Sequence, residues 1–205
     1  MFHYVKHMIW WPSEVPTIRH GQFTLRPLSE EDIEAIYLSC KDPLIPKFTT
    51  VPENYTMELA QGFVREKTPR LFAEHKAIHW AFTINKDVSP NALKVAGETF
   101  LGPFSIHNVE EHNHIGEIGY WLNENVRGHG FGSIGCKIIT NYAFETLGFR
   151  RLAGIVDYDN DPSKKVLLGA GYEHEGLMKS RVTRSDGSQI DMDLFAATAD
   201  SWVTT

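Results

Sequence analysis

The sequence predicts an α/β (α+β) domain, a mixed, mostly antiparallel twisted sheet with helices packed on both faces. Three observations carry this expectation. Alternating apolar runs joined by short polar connections crowd the middle of the chain and read as an antiparallel meander. Stripes of helical period stand before and after the meander. The last third then alternates strand, loop, helix, strand, helix and strand, the order that lays helices over a sheet. A length of 205 residues suits one core, and 42% hydrophobic with 22% charged residues is the balance of a folded chain, not a disordered one.

Residues 1–16, with His3, His7, Trp10, Trp11, Pro12 and Pro16, show no period and read as an extension lying across the body or a partner; residues 17–205 read as the single domain. From Gln22 to Pro27, Phe23 and Leu25 alternate with polar neighbours as in a strand, and Ser29-Glu-Glu-Asp32 follows with a capping-box pattern. The helix it starts carries Ile33, Ile36, Tyr37 and Cys40 on one face and stops at Pro43 and Pro46. Thr56 caps a second helix with Leu59, Ala60 and Phe63 inward, running toward Lys67 and ending before Pro69, and a third helical stretch surrounds Leu71 to His75. Ile78 to Asn85, Lys94 to Phe104 and Ile115 to Leu122 are the meander strands, with polar loops at Lys86 to Leu93 and Ser105 to His114. Gly128 to Gly132 opens a helix from Ser133 to Thr146, striped with Ile134, Ile138, Ile139, Tyr142 and Ala143 and closed by Gly148. Arg151 to Val156 is a strand, and Pro162 begins a helix that Gly169 and Gly171 close. Tyr172 to Glu175, Met178 to Thr183 and Gln189 to Ala196 supply the late strands, the last two joined by the turn Ser185 to Ser188.

Composition removes several function classes. Twenty Lys and Arg against 26 Asp and Glu give a net charge of −6, which argues against a nucleic-acid partner, since phosphate neutralisation needs a basic excess. The same balance leaves room for a cationic amine or a basic peptide. No run approaches the roughly 20 apolar residues that cross a bilayer, so no membrane partner is expected. The first residues lack the charged and apolar regions of a signal peptide, and Cys40 and Cys136 stand 96 positions apart without disulfide or metal spacing, so a reducing cytoplasmic setting is expected. His107, His112 and His114, with Glu110, Glu111 and Glu117, fit no rigid ligand pattern, so no metal is expected either.

Chemistry concentrates at Arg127-Gly-His-Gly-Phe-Gly132, between a strand and a helix. Glycines there let backbone N–H groups converge, and the helix N-terminus adds partial positive charge, which together make a phosphate cradle. A second reading competes with it. Gly130-Phe-Gly-Ser-Ile-Gly135 matches GxGxxG, and Asp157 stands 22 residues beyond Gly135, near the dinucleotide-binding spacing of a nicotinamide oxidoreductase. Against that alternative, the loop begins several residues after its strand, and the 48 residues after Asp157 do not complete a doubly wound sheet.

A wider set of residues carries a resemblance. Glu117-Ile-Gly-Tyr-Trp-Leu122, Val126 to Gly132, Asn141-Tyr-Ala-Phe144, Leu147-Gly-Phe149, Val156-Asp157, Asn160-Asp-Pro-Ser163, Gly171-Tyr172 and Glu175-Gly176 resemble, in order, the GCN5-related N-acetyltransferases. The likeness is nearest to their branch of ribosomal-protein N-terminal acetyltransferases, which Phe23-Thr-Leu-Arg-Pro-Leu28, Asp32 and Asp191 also fit, and it covers roughly Arg19 to Ala197 as one domain.

The resemblance implies transfer of acetyl from acetyl-CoA to a primary amine, on a small molecule or a peptide N-terminus, by direct attack in a ternary complex. It implies that Arg127, Gly130 and Gly132, with the amides of Gly128, His129, Phe131 and Ser133, hold the pyrophosphate, and that the backbone of Trp121, Leu122 and Asn123 pairs with pantetheine. Relatives place a thiolate-protonating tyrosine seven residues after the motif asparagine, where this chain has Leu167. The branch resembled places the serine of Asn-x-x-Ser near the sulfur, which implies Ser163 as the candidate thiolate partner and Asn160 as a cofactor contact, while the missing tyrosine keeps a non-catalytic acyl-CoA-binding protein as a further alternative. Glu117, on the strand leading into the pocket, is the candidate base, with Glu98, Glu175 and Tyr120 as weaker ones. The acceptor pocket is expected from Asp42 to Tyr55 and Ser105 to His114, and the aromatic extension is compatible with a homodimer.

Overall fold

The computed structural model describes residues 8–184 and 186–204; residues 1–7 of the extension and Ser185 of the last expected turn lie outside the described residues. One nine-stranded sheet organises the chain: β1 (Ile18–His20), β2 (Phe23–Pro27), β3 (Ile78–Ile84), β4 (Lys94–Val95), β5 (Glu98–Glu110), β6 (Ile115–Tyr120), β7 (Arg151–Asp157), β8 (Glu173–Thr183) and β9 (Gln189–Thr198). The spatial order is β1-β2-β3-β5-β6-β7-β9-β8, with β4 paired onto β5. Every pairing among the described residues is antiparallel except β6 with β7.

Strand alternation distributes the core to two faces. Ile78, Trp80, Phe82 and Ile84 point to one side, where α5 (Phe131–Tyr142) and α6 (Asp161–Ala170) cover them with Cys136, Ile139 and Leu167. Ala81 and Phe100 point to the other, under α1 (Ile33–Ser39), α2 (Leu44–Phe48), α3 (Met57–Gly62), the turn Phe63–Lys67 and α4 (Thr68–Ala73), with Ile33, Ile36, Ile45, Ala60 and Val64 packed there. The mixed, mostly antiparallel sheet with helices on both faces is therefore the observed architecture.

Several local expectations change, each for an identifiable reason. Pro46 sits inside α2, at its third residue, where the missing N–H has no intrahelical acceptor to lose. Pro69 sits inside a helical run that continues from Met57 to Ala73, because the turn Phe63–Lys67 is wound wide and the Thr68 N–H bonds Phe63 five residues back. Leu59, expected inward, is exposed. Gly169 lies within α6, and Gly171 alone caps it at φ 103°. The strand expected to end at Phe104 runs on to Glu110, so half of the expected Ser105 to His114 loop is β5. The two late strands expected at Tyr172 to Glu175 and Met178 to Thr183 are one bulged strand, Glu173–Thr183, and β1 is too short to show a period.

The extension joins the body over its described part. Ile9 is buried in the core, the Trp10 N–H donates to Leu147 O (2.8 Å), and the Trp11 Nε1–H donates to Phe72 O (3.0 Å) while its ring stacks on His75. The feature that positions the site is the β6/β7 pair. Its register runs from Ile115↔Arg151 to Glu117↔Ala153 and stops, although β6 continues to Tyr120 and β7 to Asp157. Beyond Glu117 the two strands part, and the sheet opens into a fork.

Candidate active site

Along the β6 arm of the fork the chain stays extended past Tyr120, and the N–H groups of Trp121 and Asn123 donate to Pro103 O (3.4 Å) and Leu101 O (2.8 Å) of β5. This close approach requires Gly102, where φ is +150° and a Cβ would stand 2.0 Å from Trp121 O. Extended backbone alternates its hydrogen-bonding edges, so Leu122 faces away from β5. Its N–H has no acceptor among the described residues, and its carbonyl accepts both Nε–H and Nη2–H of Arg127 (3.0 and 2.8 Å).

The glycine loop then turns into α5. Gly128 and Gly130 take φ +82° and +78°, and Gly130 occupies the N-cap position with no side-chain cap. The first intrahelical bond is Ile134 N–H to Gly130 O (3.2 Å). Six consecutive N–H groups, Gly128 to Ser133, thus have no acceptor among the described residues. Unpaired amides at the positive end of a twelve-residue helix form an anion cradle.

Side chains around the cradle have other duties. The Arg127 guanidinium, expected on the pyrophosphate, is engaged within the protein: besides Leu122 O, its Nη2 lies 2.5 Å from Asp42 Oδ2, a charge contact outside hydrogen-bond angles. Asp42 Oδ1 in turn accepts the Leu44 N–H (3.0 Å), so Arg127 ties the glycine loop to α2. Asn123 does the same for α1 through Ser39 Oγ (3.0 Å). The His129 Nδ1–H points at the carbonyls of Arg127 (3.0 Å) and Val126 (3.3 Å), and its exposed ring stacks on Phe131. Phe131 is core, and the Ser133 hydroxyl donates to Val166 O (2.9 Å), pinning α5 to α6.

At the start of α6, Asn160 Oδ1 accepts the Ser163 N–H (3.2 Å) as an N-cap. The Ser163 hydroxyl is paired with the Tyr120 phenol at 2.9 Å. This contact spans the fork from β6 to α6. Tyr120 stacks on Phe104 and its pKa is raised well above the ordinary value, chiefly by burial and next by Cys136, so the phenol stays protonated at neutral pH. The sequence reading gave Tyr120 only a minor place as a base. The one signal available was alternation, which sets Tyr120 on the opposite face from Glu117.

On that opposite face, Glu117 is the last β6 residue in register with β7 and is the cross-strand partner of His107 on β5, with His107 Nε2 3.7 Å from Glu117 Oε2. The weaker base candidates are committed elsewhere: Glu98 accepts from Thr83 Oγ1 (2.5 Å) and Glu175 pairs with Arg151. Leu167 is buried in the core. Cys40 and Cys136 are free, buried thiols whose pKa values burial raises, to about 12 for Cys40. Among the described residues no three His, Cys, Asp or Glu side chains are grouped to hold a metal ion, and no helix is long and apolar enough to cross a membrane.

The GxGxxG coincidence has a structural explanation. Gly132 and Gly135 lie inside α5, and a Cβ at Gly135 would stand 2.6 Å from the Phe104 ring, so that glycine serves helix-to-sheet packing. The largely antiparallel sheet is not the doubly wound parallel sheet that the nicotinamide alternative requires.

Comparison with known proteins agrees with this geometry. The family described as acetyltransferase (GNAT) domain matches residues 22–173. The chain is 22% identical over 181 residues to YoaA of Bacillus subtilis, named an uncharacterized N-acetyltransferase, covering 88% of this chain and 96% of that protein. It is 30% identical over 104 residues to the ribosomal-protein-serine acetyltransferase of Escherichia coli, covering 51% and 58%. Among solved structures, RimL, a ribosomal α-N-protein acetyltransferase in complex with coenzyme A, superposes with a TM-score of 0.75 at 21% identity, covering 91% of this chain and 99% of that one.

Proposed function

The chain belongs to the GNAT acetyltransferase family, and from that premise we propose that residues 17–205 act as one domain that moves acetyl from acetyl-CoA to a primary amine by direct attack in a ternary complex. The observation that carries the reading is the run of unpaired amides from Gly128 to Ser133 at the head of α5, beside the fork in the sheet. It fits the diphosphate of a coenzyme A thioester. The free N–H of Leu122 on the adjoining arm suits the amide groups of the pantetheine chain. The amide nitrogen of Asn160 is a further cofactor contact in this reading, its oxygen being held by the Ser163 N–H.

Transfer breaks a C–S bond and makes a C–N bond, so the site must attract and deprotonate the amine and reprotonate the sulfur. Glu117 at the mouth of the fork provides negative charge that attracts an incoming ammonium and, as a base acting directly or through a water, a carboxylate toward which its proton can leave. Ser163 and Tyr120 fill the place left by Leu167: the serine hydroxyl donates toward the leaving sulfur while the buried phenol refills it across the 2.9 Å contact. Both cysteines are buried with raised pKa values, which favours direct transfer over an acyl-enzyme. A peptide N-terminus is the preferred acceptor because relatives of this length and fold include proteins named ribosomal-protein acetyltransferases.

Release of free CoA thiol from acetyl-CoA, followed across a panel of peptide N-termini and small aliphatic amines, tests the proposal. The expected result is turnover with at least one acceptor class and an acetylated product of matching mass. Tight acetyl-CoA binding with no turnover on any acceptor would instead support the acyl-CoA-binding alternative.

A further inference from the structure

His107, on β5, is a residue to which the proposed reaction gives no role, and its surroundings are chemically specific. Its Nδ1 lies 3.3 Å from Ser105 Oγ, and that hydroxyl donates its own proton to Gly119 O (3.3 Å). Ser105 Oγ is therefore the acceptor, Nδ1 carries the imidazole proton, and Nε2 is left with its lone pair. Nε2 and Glu117 Oε2 then form two acceptors 3.7 Å apart, too far for a hydrogen bond to each other. Both side chains remain partly open to solvent, 35% for His107 and 25% for Glu117.

The neighbours hold the imidazole in place and neutral. Gly119 has no side chain to block the ring, since a Cβ there would stand 2.7 Å from His107 Cε1, so the ring lies against the first stretch of β6 beyond the fork. The charged and titratable groups facing it are Glu117 from β6, Lys67 from the wide helical turn and His79 from β3. Burial lowers the His107 pKa most, Glu117 raises it, and Lys67 lowers it again. His79 is itself driven neutral, and its buried Nδ1 has no partner among the described residues.

Two facing acceptors, one of them anionic, are the complement of an ammonium group. We propose that His107 Nε2 and Glu117 together receive the acceptor as its primary ammonium ion, and that His107 takes the proton that frees the attacking amine; this rests on reading the fork as the site of acetyl transfer. One N–H proton of the ammonium passes to Nε2, and the imidazolium formed is paired with the Glu117 carboxylate. The freed lone pair forms the C–N bond to the acetyl carbonyl carbon as the C–S bond breaks. The departing sulfur takes a proton from the Ser163 side, the nitrogen gives up its second excess proton to solvent, and before the next turnover His107 returns its proton to solvent while the Ser163–Tyr120 pair regains one from it. The net change is ammonium plus thioester to amide, thiol and one proton.

The test uses the full chain with an acceptor that the wild-type protein acetylates. His107→Gln is expected to lower kcat/KM for the acceptor about a hundredfold at pH 7, with the acetyl-CoA Kd unchanged within twofold. The deficit should shrink as pH rises past about 8, where an α-amino group is already free. Glu117→Gln is expected to raise the acceptor KM more than it lowers kcat, and the double variant to lose less than the product of the two single losses. Retention of the wild-type rate by His107→Gln at pH 7, or an equal deficit at every pH in a variant with unchanged Tm, overturns the assignment. A wild-type protein that binds acetyl-CoA but transfers acetyl to no amine overturns the underlying reading instead.

Discussion

Glu117 and Tyr120 lie on opposite faces of β6, because residues three apart on a strand point to opposite sides: Glu117 stands beside His107 and Tyr120 beside Ser163. If Tyr120 and Ser163 act as a unit, Tyr120→Phe and Ser163→Ala should each lower kcat by about 10- to 100-fold, the double variant little more, with acetyl-CoA affinity within twofold. Full activity in both single variants removes the pair from the mechanism. His79 makes a separate prediction about stability. Burial, then His107 and Lys67, push its pKa from 6.5 down to about 3. Between those values the unfolded chain binds a proton that the folded chain refuses, so stability falls as pH drops from about 6.5 toward 3, by up to about 1.4 kcal/mol per pH unit. His79→Gln should flatten that part of the Tm-against-pH curve relative to wild type, and superimposable curves would contradict it. Glu117 and Ser163 could be singled out as candidates because each belongs to an ordered local motif. Tyr120 as the partner of Ser163, and Asp42 as the partner of Arg127, were not, since 43 and 85 positions separate them in the chain and only folding brings them together.

Elements were read well wherever periodicity alone decides. The alternation of Ile78 to Ile84 and the stripe of α5 place the two sides of the core, and the Ser29–Asp32 capping box forms as expected, with the Ser29 N–H donating to Asp32 Oδ2 (2.8 Å). Proline was read as a terminator at Pro46 and Pro69, and both lie within helices. A first-turn position and a widened turn remove the usual penalty, and neither depends on a pattern visible in the sequence. The head of α6 carries a direct prediction. Asn160→Ala removes the N-cap bond to the Ser163 N–H and should cost about 1 kcal/mol, a fall in Tm of about 2–4 °C. A Tm unchanged within error would show that the cap contributes nothing.

At the scale of the whole molecule, the site exists because one pair of neighbouring strands separates. Every antiparallel pairing closes the sheet, and the single parallel pair among the described residues, β6 with β7, stays in register for three residues and then opens toward the heads of α5 and α6. The antiparallel majority follows from the sequence, while the strand count does not, since β1 is too short to show a period, β4 and β5 read as one strand and β8 as two. Nor does the point of separation, which depends on how α5 and α6 pack on each other through Gly132, Ser133, Val166 and Gly169. The central claim is that this opening and its unpaired amides bind a coenzyme A thioester. Thermal unfolding with acetyl-CoA, CoA, NADH and NADPH at matched concentrations tests it most directly. At a hundred times its Kd, acetyl-CoA should stabilise the protein by about 2.7 kcal/mol, a rise in Tm of about 5–10 °C, with no shift from either nicotinamide. A rise with NADH or NADPH and none with acetyl-CoA would contradict the account.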